Sequence, residues 1–558
     1  MNIFGAFTYR PKLVSVLKGY SLSKFKDDAV AGIVVGIVAL PLAIAFAIAS
    51  GVSPAIGLIT AITGGFIVSV FGGNSVQIGG PTGAFIVIVY GIIAQYGLEG
   101  LAIATLLAGA ILIMMGFFRL GTIIKFIPYP VVVGFTAGIA LTIFSTQIND
   151  FFGLGLKEVP SDFISKWGVY LRNFDAIDLT STLVALASLA VIVMAPKLSK
   201  RIPGALLAII LATAIVYLFD IPVETIGSRF GRLKTDIPLP HGFELSMSTV
   251  NSLLPSAFTI AILCAIESLL SATVADGVTG SRTDSNSELI GQGLANMIVP
   301  LFGGIPVTGA IARTMTNITN GGRTPVAGII HAIVLLMIFL LLMPLIQLVP
   351  MSTLAAVLIV VSYNMSGWRT VRAIFSNPKS DVSVLVVTFL LTVIFDLTIA
   401  IEIGLLLAVV LFLRRVTENT EIRVYGDKLD AAADTDLSTH EELDLAPGVQ
   451  VYEIDGPFFF GVATKFDEMM RTTVGETRPK VRIIRMRKVP FIDSTGLHNL
   501  EILINSSRAE GIDIVLSGVR DEVRKTLHKN HIDRLIGDQH ICDHISKAVL
   551  QANALACR

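Results

Sequence analysis

Apolar residues fill most of this chain in stretches of roughly 20, set apart by short polar connections, a length that suits helices crossing a bilayer rather than packing in water. Such stretches lie at 29–49, 54–71, 77–94, 100–117, 127–148, 179–195, 203–219, 252–275, 289–302, 306–319, 326–343, 348–363, 382–395 and 398–413. That makes about fourteen spans, and an even number returns both ends of the region to one side.

Two of these spans are broken by matching turns. Phe71-Gly72-Gly73 leads through Gly79-Gly80-Pro81 to Thr82-Gly83-Ala84, and Phe302-Gly303-Gly304 leads through Pro306 to Thr308-Gly309-Ala310. Gly and Pro interrupt helices, and irregular backbone at membrane depth is tolerated only where protein or a water-filled cavity satisfies it. The breaks fall in the third and tenth spans, an odd separation, so the second crosses in the opposite direction to the first. That predicts an inverted repeat with a binding site between the breaks.

Half-helices starting at Pro81 and near Thr308 would direct their N-termini toward each other, each with unpaired N–H groups and about half a positive charge. Anions are drawn to such ends. Thr82 and Thr308 add hydroxyls, and Gly83, Gly309 and Ala310 let a ligand approach the backbone. Arg313, one turn further, is either a fixed positive charge for the substrate or the structural partner of Glu267. Glu267, deep in the eighth span, is a candidate to exchange a proton as the site fills, or to hold Na⁺ together with Ser271.

Composition agrees with a membrane protein: 53% of the 558 residues are hydrophobic and 15% charged, with a mean hydropathy of +0.75. The zero net charge hides a partition, since charges are sparse through the spans and dense on either side. Lys and Arg at 119/125, 197/200/201, 282, 323, 369/372/379 and 414/415 all fall on the N-terminal side, which predicts cytoplasmic termini. Loops 149–178 and 220–250 carry further charges on the other side. Three scattered cysteines exclude a disulfide framework or zinc site. The boundaries read as a cytosolic N-terminal segment at 1–28, a transport domain at 29–415, an acidic linker at 416–447 and a soluble domain at 448–558.

That last domain alternates strand-like 449–454, 481–486 and 512–516 with helical stretches, a small α/β fold. It has no phosphate-loop or dinucleotide fingerprint, which argues against catalysis.

The Asp493-Ser494-Thr495-Gly496 turn resembles that of STAS domains. A STAS domain after fourteen spans resembles the SulP anion transporters, bacterial relatives of solute carrier family 26. The likeness rests on Leu40-Pro41 through Phe46, Gly80-Pro81-Thr82-Gly83, Ile127-Pro128-Tyr129-Pro130-Val131 through Gly134-Phe135, Glu267-Ser268-Leu269-Leu270 and Gly303 through Asn317. It implies a polytopic α-helical protein with a seven-plus-seven inverted repeat, core and gate domains, and a homodimer. It also places Phe46 and Thr82 beside the substrate, Glu267 at the coupling position and Arg313 on the second half-helix. Leu42 and Ala312 stand where many relatives carry glutamine and serine. Cyanobacterial bicarbonate carriers place an aspartate at the position of Glu267 and lack the arginine. The resulting expectation is a proton-coupled carrier of sulfate or a similar oxyanion in the bacterial inner membrane, without cofactor or nucleic acid. Bicarbonate or dicarboxylate with H⁺ or Na⁺ is the alternative, and an anion sensor signalling to a cytosolic partner through the STAS domain is the reading from another class. Ser494 matches the phosphorylated position of anti-sigma antagonists, against a structural role as helix cap.

Overall fold

The computed structural model describes residues 9–122, 128–156, 159–160, 162–198, 203–231, 242, 246–395, 397–425, 428–430, 442–462 and 478–557. Lys125, Phe126, Ile127, Lys200, Arg201 and, in the acidic linker, 426–427 and 431–441 lie outside them. The chain divides into two compact units, Met1–Ala408 and Val409–Arg558.

The membrane helices are α1 (Leu22–Ala49), α2 (Pro54–Phe71), α3 (Ile86–Phe117), α4 (Tyr129–Thr146), α5 (Leu179–Leu198), α6 (Gly204–Leu218), α7 (Met247–Thr279), α8 (Ser285–Ile298), α9 (Ile311–Thr319), α10 (Val326–Ile346), α11 (Met351–Met365), α12 (Lys379–Ile394) and α13 (Leu397–Asn419), the last running past the end of the first unit. Eight described segments are long and apolar enough to span a bilayer. One of them, α3, counts twice, because Gly97 takes φ 70° and ψ −172° and turns the chain between two spans. A side chain is strained at such a φ, so glycine sits at this hairpin.

The packing repeats with the halves exchanged. The second limb of α3 lies on α7 and α8 as α10 lies on α1 and α2, and α4 lies on α12 as α11 lies on α5. Small residues set these approaches, since apolar lipid supplies no hydrophobic drive and close van der Waals contact must do it. A Cβ at Gly109 would stand 2.7 Å from the Gly293 carbonyl oxygen, and one at Gly138 would stand 2.6 Å from Thr392 Cβ. The fourteen spans thus form an inverted repeat of seven and seven.

Element ends differ in instructive ways. The first half-helix opens at a 3₁₀ turn, Gly83–Phe85, rather than at Pro81, and the second at Ile311 rather than near Thr308. Helix α8 begins at Ser285, ahead of the apolar run, because Asp284 caps it and its polar residues are buried and bonded. Glu288 there accepts from the Gly73 and Asn74 amides at 2.8 and 3.0 Å and from Gln292 at 2.8 Å. A buried carboxylate engaged in this way holds the turn after α2 to α8.

In the second unit β3 (Glu421–Tyr425) pairs antiparallel with β4 (Val449–Asp455). Strands β5 (Val481–Arg485), β6 (Asp513–Ser517) and β7 (Ile541–Cys542) continue the sheet in parallel. Helix α14 (Ser494–Ala509) packs on one side with the Phe458, Leu500 and Leu516 core, and the C-terminal helix Ile545–Ala556 with the Val451 and Ile483 core. The stretch expected to be linker therefore contributes a strand. Only Ile422 of β3 is buried, so its charged neighbours disguise it.

Candidate substrate site

The two breaks meet and pair. Gly79-Gly80 forms β1 and Thr308-Gly309 forms β2, a two-residue antiparallel ladder with Gly79 opposite Gly309 and Gly80 opposite Thr308. Ladder bonds satisfy backbone groups that no helix can take at this depth. Phe85 N–H closes on the Thr82 carbonyl at 3.3 Å and Thr314 N–H on the Ala310 carbonyl at 2.9 Å. Ahead of them the amides of Gly83 and Ala84, and of Ile311 through Arg313, have no intrahelical acceptor. Two positive helix ends therefore converge on the crossing.

Arg313 is 2% exposed. Among the described residues it forms no ion pair with Glu267; its guanidinium donates to the Gly79 carbonyl at 3.4 Å and to the Pro81 carbonyl. The charge of the second half is thus anchored on the backbone of the first, and Glu267 acts on it only through its charge and not through a close ion pair. Glu267 stays partly exposed on α7. The Thr82 hydroxyl is buried beside that carboxyl, yet makes no well-formed hydrogen bond with any described group.

Thr308 is placed differently. Its hydroxyl donates to the Cys264 carbonyl at 3.0 Å and meets Ser268 Oγ at 2.7 Å, while Gly309 N–H donates to the same Ser268 oxygen at 3.3 Å. Its proton is engaged by the second half, whereas the Thr82 hydroxyl has only the Glu267 carboxyl beside it. Ser271 donates to Thr314 Oγ1 at 3.2 Å, which in turn accepts from Ile78 N–H at 3.1 Å. Phe46 is buried. A Cβ at Gly83 would stand 3.4 Å from its ring, 3.0 Å from Met365 Sδ and 3.1 Å from Ile143 Cδ1. Beyond Ala310, whose N–H donates to the Ile78 carbonyl at 3.0 Å, the Gln77 amide fills the space where a Cβ on Gly309 would go.

Sequence reasoning passed over Ser268, Gln77, Ile143 and Met365. Ser268 lies next to Glu267 and was legible as a polar residue on a buried helix. Ile143 and Met365 carry no chemical signal, and only packing brings them to Gly83. In the second unit, Asp493 rather than Ser494 caps α14, accepting from Gly496 N–H at 2.8 Å and Phe460 N–H at 3.1 Å. Ser494 is the exposed first residue of the helix.

Comparison with known proteins agrees with this architecture. The Sulfate permease family model matches residues 25–388 and the STAS domain model residues 442–548. YvdB of Bacillus subtilis (strain 168), provisionally named a sulfate transporter, is 42% identical over 94% of this chain and 98% of its own. The bicarbonate transporter BicA of Picosynechococcus sp. is 30% identical over 90% of each. The solved transmembrane domain of a cyanobacterial BicA superposes with a TM-score of 0.62 at 28% identity, covering 70% of this chain and 98% of that one. Murine Slc26a9, described as an anion transporter in its inward-facing state, shares the fold with a TM-score of 0.87 at 20% identity, covering 98% and 94%. A fourteen-span inverted repeat with paired half-helices and a STAS domain, matched over most of its length, belongs to the Sulfate permease family, and the protein is an anion transporter of the membrane rather than an enzyme.

Proposed function

We propose that this protein carries a small inorganic oxyanion, sulfate foremost, across the bacterial inner membrane by alternating access, with uptake coupled to a proton at Glu267. The observation that carries this reading is the buried Arg313 guanidinium, held on the Gly79 and Pro81 carbonyls without an ion pair among the described residues, at the meeting point of two helix N-termini. Two helix ends of about half a charge each, plus one arginine, amount to about two positive charges. That balances a sulfate dianion only if Glu267 is neutral, so sulfate and a proton arrive together. The Thr82 hydroxyl, beside Glu267, and the Gly83 and Ala84 amides donate to the anion from one half-helix, and the Ile311 and Ala312 amides donate from the other. Phe46 covers the apolar side. Thr308, Gly309 and Ser271 hold the second break in place through Ser268, Cys264 and Thr314.

Bicarbonate is the second reading, favoured by relatives that bear that name. A monoanion fits the same site with Glu267 ionised, or with Na⁺ beside it. In this proposal both termini are cytoplasmic, the chain works as a homodimer, and the STAS domain offers a surface to a cytosolic protein.

The test is uptake of labelled sulfate into proteoliposomes under a proton gradient, acid outside, with bicarbonate, fumarate and chloride as competitors. Saturable uptake that is lost in Arg313→Ala and indifferent to the gradient in Glu267→Gln supports the reading. Binding without flux for every anion overturns it in favour of a sensor. Flux driven by Na⁺ and strongest for bicarbonate selects the second reading.

A further inference from the structure

A cavity of about 630 Å³ opens on the side of the crossing away from the N-terminal segment. Its wall includes Ile48 and Ile86, each just beyond Phe46 and Gly83 along α1 and α3. Opposite them stand Gln147, Asp150, Lys166 and Arg229.

The charges on this wall are unequally paired. Arg229 grips Asp150 through two bonds, 3.0 Å from Nη1 and 2.7 Å from Nη2, and also binds Glu224 at 3.0 Å from Nε. Both carboxylates among the described lining residues are thereby engaged by one guanidinium. Lys166, on the short helix Phe163–Arg172, is 5% exposed. Among the described residues its ammonium has neither a hydrogen bond nor an ion pair, and it lines the cavity. An ammonium withdrawn from water without a counter-ion is costly unless something in the cavity supplies the charge.

We propose that this cavity is a second anion site, in which the Lys166 ammonium collects the transported oxyanion before it passes Phe46 to the paired breaks. The proposal rests on the transport reading above and adds a docking step on the outer face. Gln147, one of whose amide hydrogens goes to Thr146 Oγ1 at 2.7 Å, has a second N–H to offer from the same wall. The Asp150–Arg229–Glu224 group binds both of its carboxylates to one guanidinium, so among the described lining residues the Lys166 ammonium is the cation with no ion pair, in a cavity whose described charges sum to zero.

Lys166 also makes the step sensitive to pH. Burial pushes its ammonium down to about 8, opposed by the charge of Asp162. Among the described residues the other titratable groups around it are Asp150 and Glu224, both bound to Arg229, and Tyr90 and Tyr170; Arg172 and Asp175 are exposed.

Two measurements on the full-length protein test the site separately from transport. In proteoliposomes with sulfate offered to the cavity face, Lys166→Met is expected to raise KM about fivefold or more with kcat within about twofold of wild type. Wild type is expected to show a rise in KM above pH 8, and Lys166→Arg is expected to keep the wild-type KM at pH 7 and to remove that rise. An unchanged KM in Lys166→Met overturns the proposal. In detergent, carbamoylation of Lys166 by cyanate, followed by mass spectrometry, is expected to slow at least about threefold in sulfate but not in a zwitterion of equal osmolarity. An unchanged rate overturns it whether or not the protein transports. Protection of Lys166 in a protein that moves no anion leaves this site standing while the carrier reading falls.

Discussion

Arg313 donates its guanidinium to the Pro81 carbonyl, so a side chain of the second half-helix closes the break that opens the first. The space it uses exists because residue 80 is a glycine: a Cβ there would overlap the guanidinium. Gly80→Ala is therefore expected to displace the charge without removing it. Sulfate uptake should fall at least tenfold in kcat/KM, approaching the loss in Arg313→Ala, while the purified protein keeps its elution volume. Wild-type kcat/KM in Gly80→Ala would show that the anion does not depend on where this guanidinium sits.

The two threonines of the matching turns should separate binding from stability. Thr82 makes no well-formed hydrogen bond with any described group, so Thr82→Val is expected to raise KM for sulfate about five- to tenfold with little change in melting temperature. Thr308→Val strands the Cys264 carbonyl and Ser268, and is expected to destabilise the membrane domain by about 1–3 kcal/mol. Thermal unfolding in detergent beside uptake kinetics reads both, and the reverse pattern would reassign the two residues.

Lys166 makes a stability prediction with a definite sign. Its folded-state value of about 8 lies below the 10.5 of an unperturbed lysine. Between those two values the unfolded chain binds more protons, so stability rises with pH across that window. Below pH 8 the full cost of the buried ammonium is present. Lys166→Met should then stabilise the anion-free protein by about 1–3 kcal/mol at pH 7, and the advantage should vanish near pH 10.5. Melting curves of both proteins at pH 7 and pH 10 check this; equal melting temperatures at pH 7 would contradict it.

At the start of α14, Asp493 accepts two backbone amides while Ser494 is exposed. Asp493→Ala should cost about 0.5–2 kcal/mol in the unfolding of the STAS domain. Ser494→Ala should cost less than about 0.5 kcal/mol. Chemical denaturation followed by far-UV circular dichroism distinguishes the two, and a larger loss at Ser494 would return the cap to it.

Much of this molecule was legible in the chain because the bilayer imposes a length on every span and forbids unpaired backbone inside it. Runs of roughly 20 apolar residues therefore marked the helices, and Gly-Gly-Pro-Thr-Gly beside Gly-Ile-Pro-Val-Thr-Gly marked the places where helices had to stop. An odd count between those stops was enough to require opposite directions. Strand β3 was misread because one buried position, Ile422, is too little pattern among charges.

What only the tertiary structure decided is which polar group meets which. Arg313 had Glu267 as its evident partner in sequence, yet carbonyls from more than 200 positions away hold it. Thr82 and Thr308 occupy equivalent turns, but Ser268 and Cys264 reach only the second. Lys166 sat in a loop among ordinary charges until folding buried it and gave both nearby cavity carboxylates to Arg229. Hydrophobic pattern is a property of neighbours along the chain, whereas the pairing of charges and hydroxyls depends on atoms that only the folded packing brings within about 3 Å.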